Sequence, residues 1–260
     1  MKYTVLTLFP EITDAYFSTS IMAKAIQRGI IGYEAVNIRD FAQDRHKTCD
    51  DAPYGGGPGM LMLPEPLSRA LESVGVQRKG PCRERGGKRV LCLTPSGRPF
   101  TQDLARELAG EQELVLLCGR YEGIDQRVID LYIDDEISVG DYVLSSGEVA
   151  SLALIDATYR LVDRVITPES LDEESFSGGL LEYPQYTRPE IFDTIKVPEI
   201  LLSGHHENIR RWRLEKRIEK TLRLRPDLIR KGRERGLFDK ETNSMIDRQV
   251  SAEGDKDERN

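Results

Sequence analysis

The chain has 260 residues, 37 Lys+Arg against 44 Asp+Glu, a formal net charge of −7 and an isoelectric point near 5.3. That length accommodates one large or two modest domains with a sizeable core, and 39% hydrophobic with 31% charged content reads as soluble and globular. No apolar run approaches the roughly 18 residues of a membrane span, the opening MKYTVLTLFPEI lacks the parts of a secretory leader, and the acidic balance argues against an indiscriminate grip on nucleic acid.

In chain order, residues 3–8 alternate like a strand, 11–28 read as one helix running to Gly29, and 33–38 suggest a second strand. A polar, glycine-rich stretch fills Asp40 to Gly59, a helix is expected from about Pro64 to Val74, and 75–88 reads as a flexible surface loop. A rhythm of apolar strand, glycine-bearing loop and helix follows. RVLCL leads through TPSGRPF to a helix at 101–109, LVLLC through GRYEGID to one at 124–132, and ISVGDYVLSSGE to an apolar helix at 147–162. Short apolar strands between helices predict a parallel α/β sheet, and ligands of such sheets sit beyond the carboxyl ends of the strands. All three glycine-bearing loops fall there.

The rhythm breaks from Thr167 to Tyr186, a stretch rich in acid, Ser, Gly and Pro that reads as a linker. Between Arg210 and Arg235 stand twelve Lys/Arg and four Asp/Glu, a local net of +8 that leaves −15 on the rest of the chain. Ile209, Trp212, Ile218 and Leu222 recur there at near-helical spacing, so the segment reads as an amphipathic helix opening near Asn208 and ending or kinking at Pro226. Its charges fit either a solvated helix laced with Glu–Arg pairs or a face that tracks phosphates. The last ten residues, SAEGDKDERN, read as a disordered tail.

The common motifs fail one by one. GGGPG at Gly55–Gly59 lacks the buried strand that a dinucleotide loop needs in front of it. There is no GxxxxGK[ST], no GxSxG, and HHENI is not HExxH. The only histidines are His46, His205 and His206, and Cys49, Cys82, Cys92 and Cys118 form no CxxC pair, so a reduced, cytoplasmic protein without structural zinc is expected. In CGRYEGID, Gly119 and Gly123 permit close backbone approach to a ligand, with Glu122 between them as an acceptor for an amine or a cation. In ISVGDYVLSSGE, Gly140 and Gly147 frame Tyr142 and Leu144, a slot suited to a flat aromatic ring such as adenine.

Together the segments resemble the bacterial tRNA (guanine-N1)-methyltransferases, the TrmD type of SPOUT methyltransferase. The matching strings are LFPE (Leu8–Glu11), DRHKTCDDAPYGGGPGMLM (Asp44–Met62), LTPSGR (Leu93–Arg98), LCGRYEGIDQRV (Leu117–Val128), SVGDYVLSSGE (Ser138–Glu148), LLEYPQYTRPE (Leu180–Glu190) and VPEILLSGHHENIRRWR (Val197–Arg213). They occur in family order from residue 1 to about 235. The resemblance implies an α/β fold, a parallel sheet with a deep trefoil knot, plus a small C-terminal helical domain. Its boundaries would be 1–166 for the knotted domain, 167–186 for the linker, 187–250 for the helical tRNA-binding domain and 251–260 for the tail. It also implies a homodimer whose active sites use both subunits, with tRNA held at its anticodon stem-loop.

Carried over position by position, the resemblance assigns S-adenosylmethionine to Leu93, Thr94, Pro95, Gly119, Tyr121, Glu122, Ile137, Val139, Gly140, Asp141, Tyr142, Val143, Leu144 and Gly147. It assigns target-guanosine contacts to Arg45, His46, Pro58 and Gly59, and tRNA contacts to Arg210, Arg211 and Arg213. The implied reaction is methylation of N1 of the guanosine 3′ of the anticodon, position 37. Guanine N1 carries a proton at neutral pH, so a carboxylate must accept it while a cation stabilises charge growing on O6. Arg160 matches the family's cation. The family's base is an Asp before Ser-Phe, and this chain carries Glu174 there, with Glu173 and Asp172 as substitutes. The resemblance further implies Mg2+ near Glu122 and Glu174. Two rivals are a knotted RNA-binding protein without catalysis, and methylation of a ribose 2′-hydroxyl, which needs no base to free a ring nitrogen.

Overall fold

A computed structural model of the chain describes residues 1–80, 86–167 and 174–257. They divide into two compact units, Met1–Ile166 and Thr167–Asn260. The first unit contains strands β1 (Lys2–Thr7), β2 (Gly32–Asn37), β3 (Asp50–Asp51), β4 (Leu61–Met62), β5 (Lys88–Pro99), β6 (Glu113–Cys118) and β7 (Asp135–Ser138). Its helices are α1 (Pro10–Phe17), α2 (Ser20–Gln27), α3 (Pro64–Ser73), α4 (Gln102–Ala109), α5 (Gln126–Tyr132) and α6 (Gly147–Tyr159).

Five strands form one sheet in the order β2-β1-β6-β5-β7, every neighbouring pair parallel. Successive strand residues point to opposite faces, and here both faces are apolar. Tyr3, Val5, Leu91, Leu93, Leu114, Leu116 and Cys118 enter one core, against Phe17, Met22, Leu104 and Leu154 of α1, α2, α4 and α6. Leu6, Val90, Cys92, Val115 and Leu117 enter the other, against Leu67, Leu71, Val128 and Tyr132 of α3 and α5. Each fully buried aliphatic side chain stabilises this arrangement by about 1.5–3 kcal/mol. The uninterrupted apolar runs of RVLCL and LVLLC are thus the signature of strands covered on both faces.

Three local features differ from the sequence expectation. The helix expected over 11–28 is two helices, because Ser18 and Thr19 donate their hydroxyls to the Ala15 and Tyr16 carbonyls while Ser20 takes a left-handed φ of 53°. TPSGRPF, expected as a loop, belongs to β5 up to Pro99: the pairing with β7 breaks after Leu93↔Ile137 and resumes at Arg98↔Ile137 and Pro99↔Ser138. Gly97 permits that return, since a Cβ there would lie 2.4 Å from the Glu136 carbonyl carbon. The apolar helix expected to 162 ends at Tyr159, with Arg160 as its C-terminal cap.

The second unit holds β8 (Ile191–Phe192), β9 (Ile195–Lys196), α7 (Glu199–Leu202), α8 (His206–Leu224), α9 (Pro226–Glu234) and α10 (Lys240–Asp257). Leu180, Ile218, Ile229, Phe238, Met245 and Ile246 form its core. Pro226 opens α9 at a position where its missing N–H costs nothing. The end of the stretch read as a linker is strapped to α8: Leu181 N–H donates to Thr221 Oγ1 at 2.9 Å, and Arg217 donates to the carbonyls of Ser177 (2.7 Å) and Leu181 (3.3 Å). The final helix carries the chain to Asp257, past Ser251, where a disordered tail was expected to start. No helix among the described residues is long and apolar enough to cross a membrane.

Candidate functional site

The carboxyl ends of β5, β6 and β7 meet around a cavity of about 450 Å³, within the range of small-ligand sites. Two glycines build its floor. Gly147, the first residue of α6, donates its N–H to Gly119 O at 2.8 Å, and a Cβ on Gly147 would stand 2.8 Å from Gly119 N and 2.9 Å from Cys118 Cα. The end of β6 and the start of α6 therefore touch backbone to backbone. Gly140 turns the third loop at φ 154°, where Tyr142 folds back so that its N–H reaches Gly140 O at 2.9 Å and its ring covers the bare Cα. Tyr142 and Val143 are exposed at 56% and 84%, leaving apolar surface at the mouth.

Of the fourteen positions expected to hold the cofactor, all but Asp141 line this cavity. Asp141 sits on the same loop, exposed, and does not line it. Lining residues that sequence reasoning missed include Ser96, Arg120, Ile124 and Gln126. Arg120 had a signal, its place between Gly119 and Tyr121, but only the fold reveals its surroundings. Its guanidinium lies 4.2 Å over the Phe9 ring, and its Nε is 3.6 Å from Glu148 Oε2. Cys92 also lines the cavity, and burial pushes its thiol up to about 12, so at neutral pH it is no nucleophile.

The loop expected to meet guanosine joins this site through backbone bonds. Glu122 N–H donates to Met60 O (3.0 Å), Met62 N–H to Gly123 O (3.0 Å) and Asp125 N–H to Met62 O (3.3 Å). Gly59, at φ 83°, packs on Glu122, whose Cγ would lie 2.3 Å from a Cβ there. Arg45 and His46 are exposed on the same loop, which Asp44 organises by accepting from His46 N–H, Thr48 N–H and the Thr48 hydroxyl. The bonds from Thr48 and His46 hold the Asp44 carboxyl below its ordinary range. Pro58 is exposed, and none of Arg45, His46, Pro58 and Gly59 lines the cavity.

Arg160 is half-buried at the end of α6 in the first unit, and Glu174 is half-buried in the second, its carbonyl accepting from Ser177 N–H at 3.0 Å. Glu173 and Asp172 lie outside the described residues. On α8, Arg210 pairs with Glu207 (2.8 Å) and Glu241 (3.2 Å), and Arg213 lies 4.7 Å over the Tyr183 ring. Arg211 is exposed and makes no ion pair among the described residues. Much of the basic segment is thus paired within its own unit, as Arg225 and Lys231 are with Asp227 and Arg233 is with Asp247. Among the described residues, no group of three or more His, Cys, Asp or Glu converges to hold a metal ion.

A parallel sheet with a glycine-built cleft at the carboxyl ends of its strands defines an α/β protein that seats a small ligand beyond those ends. The profile of the family described as tRNA (Guanine-1)-methyltransferase TrmD matches residues 1–231, and the chain belongs to that family. It is 63% identical over 246 residues to the tRNA (guanine-N(1)-)-methyltransferase of Treponema denticola, covering 95% of this chain and 98% of the relative. It is 58% identical to the protein of that name from Treponema pallidum, over 95% of each chain. The same identity holds for the protein of that name from Borreliella burgdorferi, over 89% of this chain and 94% of the relative.

Proposed function

We propose that this chain methylates N1 of guanosine at position 37 of tRNA, beside the anticodon, with S-adenosylmethionine as donor. The observation that carries the reading is the convergence on one cleft of the glycine-bearing loops after β6 and β7 and the Thr94–Ser96 stretch of β5, with the Asp44–Met62 loop hydrogen-bonded to its rim at Gly123. The bare backbone at Gly119 and Gly147 and the apolar mouth at Tyr142 and Val143 fit a bent adenine nucleoside with a polar tail. When bound, the sulfonium donor supplies an electrophilic methyl group. The rest falls to the chain's own residues. Glu174 accepts the N1 proton, freeing the ring nitrogen's electron pair to form the new N–C bond, and Arg160 balances negative charge developing on O6. The loop carrying Gly59 would hold the base against the donor, whose methyl–sulfur bond would break with its electron pair leaving on sulfur.

The finer readings belong to the same proposal. The first unit would thread a deep trefoil knot, as in the family that the chain resembles. Two subunits would complete each site, as in the family that the chain resembles. The helical second unit would hold the anticodon stem-loop through α8, in the cytoplasm. Mg2+ near Glu122 and Glu174 finds no converging ligand set among the described residues, so no step is routed through it.

Incubating the chain with unmodified tRNA and donor, then analysing nucleosides by mass spectrometry, tests the reading. 1-Methylguanosine is expected. A 2′-O-methylated nucleoside, or no methylated product, would replace it with one of the rivals.

A further inference from the structure

Glu148 is fully buried in the first turn of α6. One oxygen is satisfied: Oε1 accepts from Thr7 Oγ1 at 2.6 Å, and Thr7 Oγ1 in turn accepts from Phe9 N–H at 2.9 Å. The other oxygen, Oε2, has no hydrogen-bond partner, and neither has the buried Nε of Arg120, 3.6 Å away. The two are an ion pair too long for a hydrogen bond, and burying a pair without that bond is costly, so their persistence side by side needs a reason. Arg120 is confined on three sides: its guanidinium rests 4.2 Å from the Phe9 ring, its backbone bridges to Ser146, and Glu148 faces its Nε.

The next residue is Tyr121, which lines the cleft with a left-handed φ of 58°. For a bulky residue with a Cβ that conformation is strained and persists only where its surroundings over-determine it. Gly123 N–H closes the turn onto Arg120 O at 3.1 Å, so the anchored arginine is also the base of the turn that presents Tyr121 and Glu122. We propose that Glu148 is a positioning residue for the cleft: by confining Arg120 it keeps Tyr121 left-handed and so pre-organises the cofactor-facing loop. A buried ion pair held without a hydrogen bond between its partners is the cost of a rigid loop, which then spends less ordering free energy when ligand binds. The inference rests on the reading of the cleft as the S-adenosylmethionine seat.

The test uses the full chain, S-adenosylmethionine titrated by calorimetry, and amide exchange without ligand. Glu148→Gln should raise the Kd about tenfold, which corresponds to about 1.4 kcal/mol, and speed exchange of the Glu122 and Gly123 amides. In a Tyr121→Gly background, where glycine adopts the left-handed turn freely, the same Glu148→Gln change should alter the Kd less than about twofold. A merely structural role would cost the same in both backgrounds, and that result overturns the proposal, as does an unchanged Kd. Arg120→Gln, at a partly exposed residue, should reproduce the loss if Glu148→Gln does not fold. If the unaltered chain fails to bind S-adenosylmethionine, faster exchange confined to that turn would still uphold the positioning role, and only the cofactor reading would fall.

Discussion

Gly147 and Gly119 meet backbone to backbone, with a 2.8 Å hydrogen bond from Gly147 N–H to Gly119 O and no room for a side chain between them. The contact joins the end of β6 to the start of α6, and the cleft is the space left around it. Gly147→Ala must therefore push α6 away from Cys118 and Gly119. Overpacking of this kind costs about 1–3 kcal/mol, readable in urea unfolding, and S-adenosylmethionine binding should fall at least tenfold at temperatures where the variant is still folded.

Glu174→Gln keeps the shape of the side chain and removes the proton acceptor. Single-turnover methylation should fall roughly 10²–10⁴-fold, while the affinities for tRNA and donor stay close to those of the unaltered chain. A variant that methylates at the original rate would remove Glu174 from the mechanism. Glu174→Asp, which restores the family's shorter carboxylate, should keep most of the rate.

On the basic segment, two neighbouring arginines should behave differently. Arg211 is exposed without an ion pair among the described residues, so Arg211→Ala should weaken tRNA binding and lower the slope of log K against log salt by about 1. Arg213 stacks on Tyr183 at 4.7 Å and clamps the segment before α7. Arg213→Ala should cost about 0.5–2 kcal/mol of stability and open residues 180–186 to limited proteolysis.

Acid stability should depend on Glu113. Burial pushes its carboxyl up, but the Thr4 hydroxyl at 2.7 Å and the ammonium groups of Lys88 (3.1 Å) and Lys2 (3.4 Å) outweigh that, and the net effect holds it below the ordinary range. A carboxyl depressed in the folded state contributes stability above its unfolded value, near 4.3, and loses it as pH falls through the lower folded value. Thermal melts at pH 7, 5 and 3 should show the Glu113→Gln chain less stable at neutral pH, with a smaller further loss in acid.

Patterning alone determined the parallel α/β class, because strands covered on both faces read as unbroken apolar runs such as RVLCL and LVLLC. The glycine-bearing loops after β6 and β7 were legible for the same reason: the strand period ends where the glycines begin. The break between α1 and α2 was not, since three hydroxyl residues can end a helix or ride along it, and packing chose. The return of β5 at Arg98 was hidden too, because it depends on how closely Gly97 approaches the Glu136 backbone. Charge counting located the basic segment but not its use, since pairing of Arg210 with Glu207 and Glu241 depends on which turns and helices come together. The opening net charge of −7 argued against a polyanion, and the sequence already divided it into a basic stretch and an acidic remainder. Only the tertiary structure separated arginines that clamp their own unit from those left exposed, and brought Glu148 beneath Arg120. Sequence spacing carries no information about residues 28 positions apart until a strand end and a helix start are packed against each other.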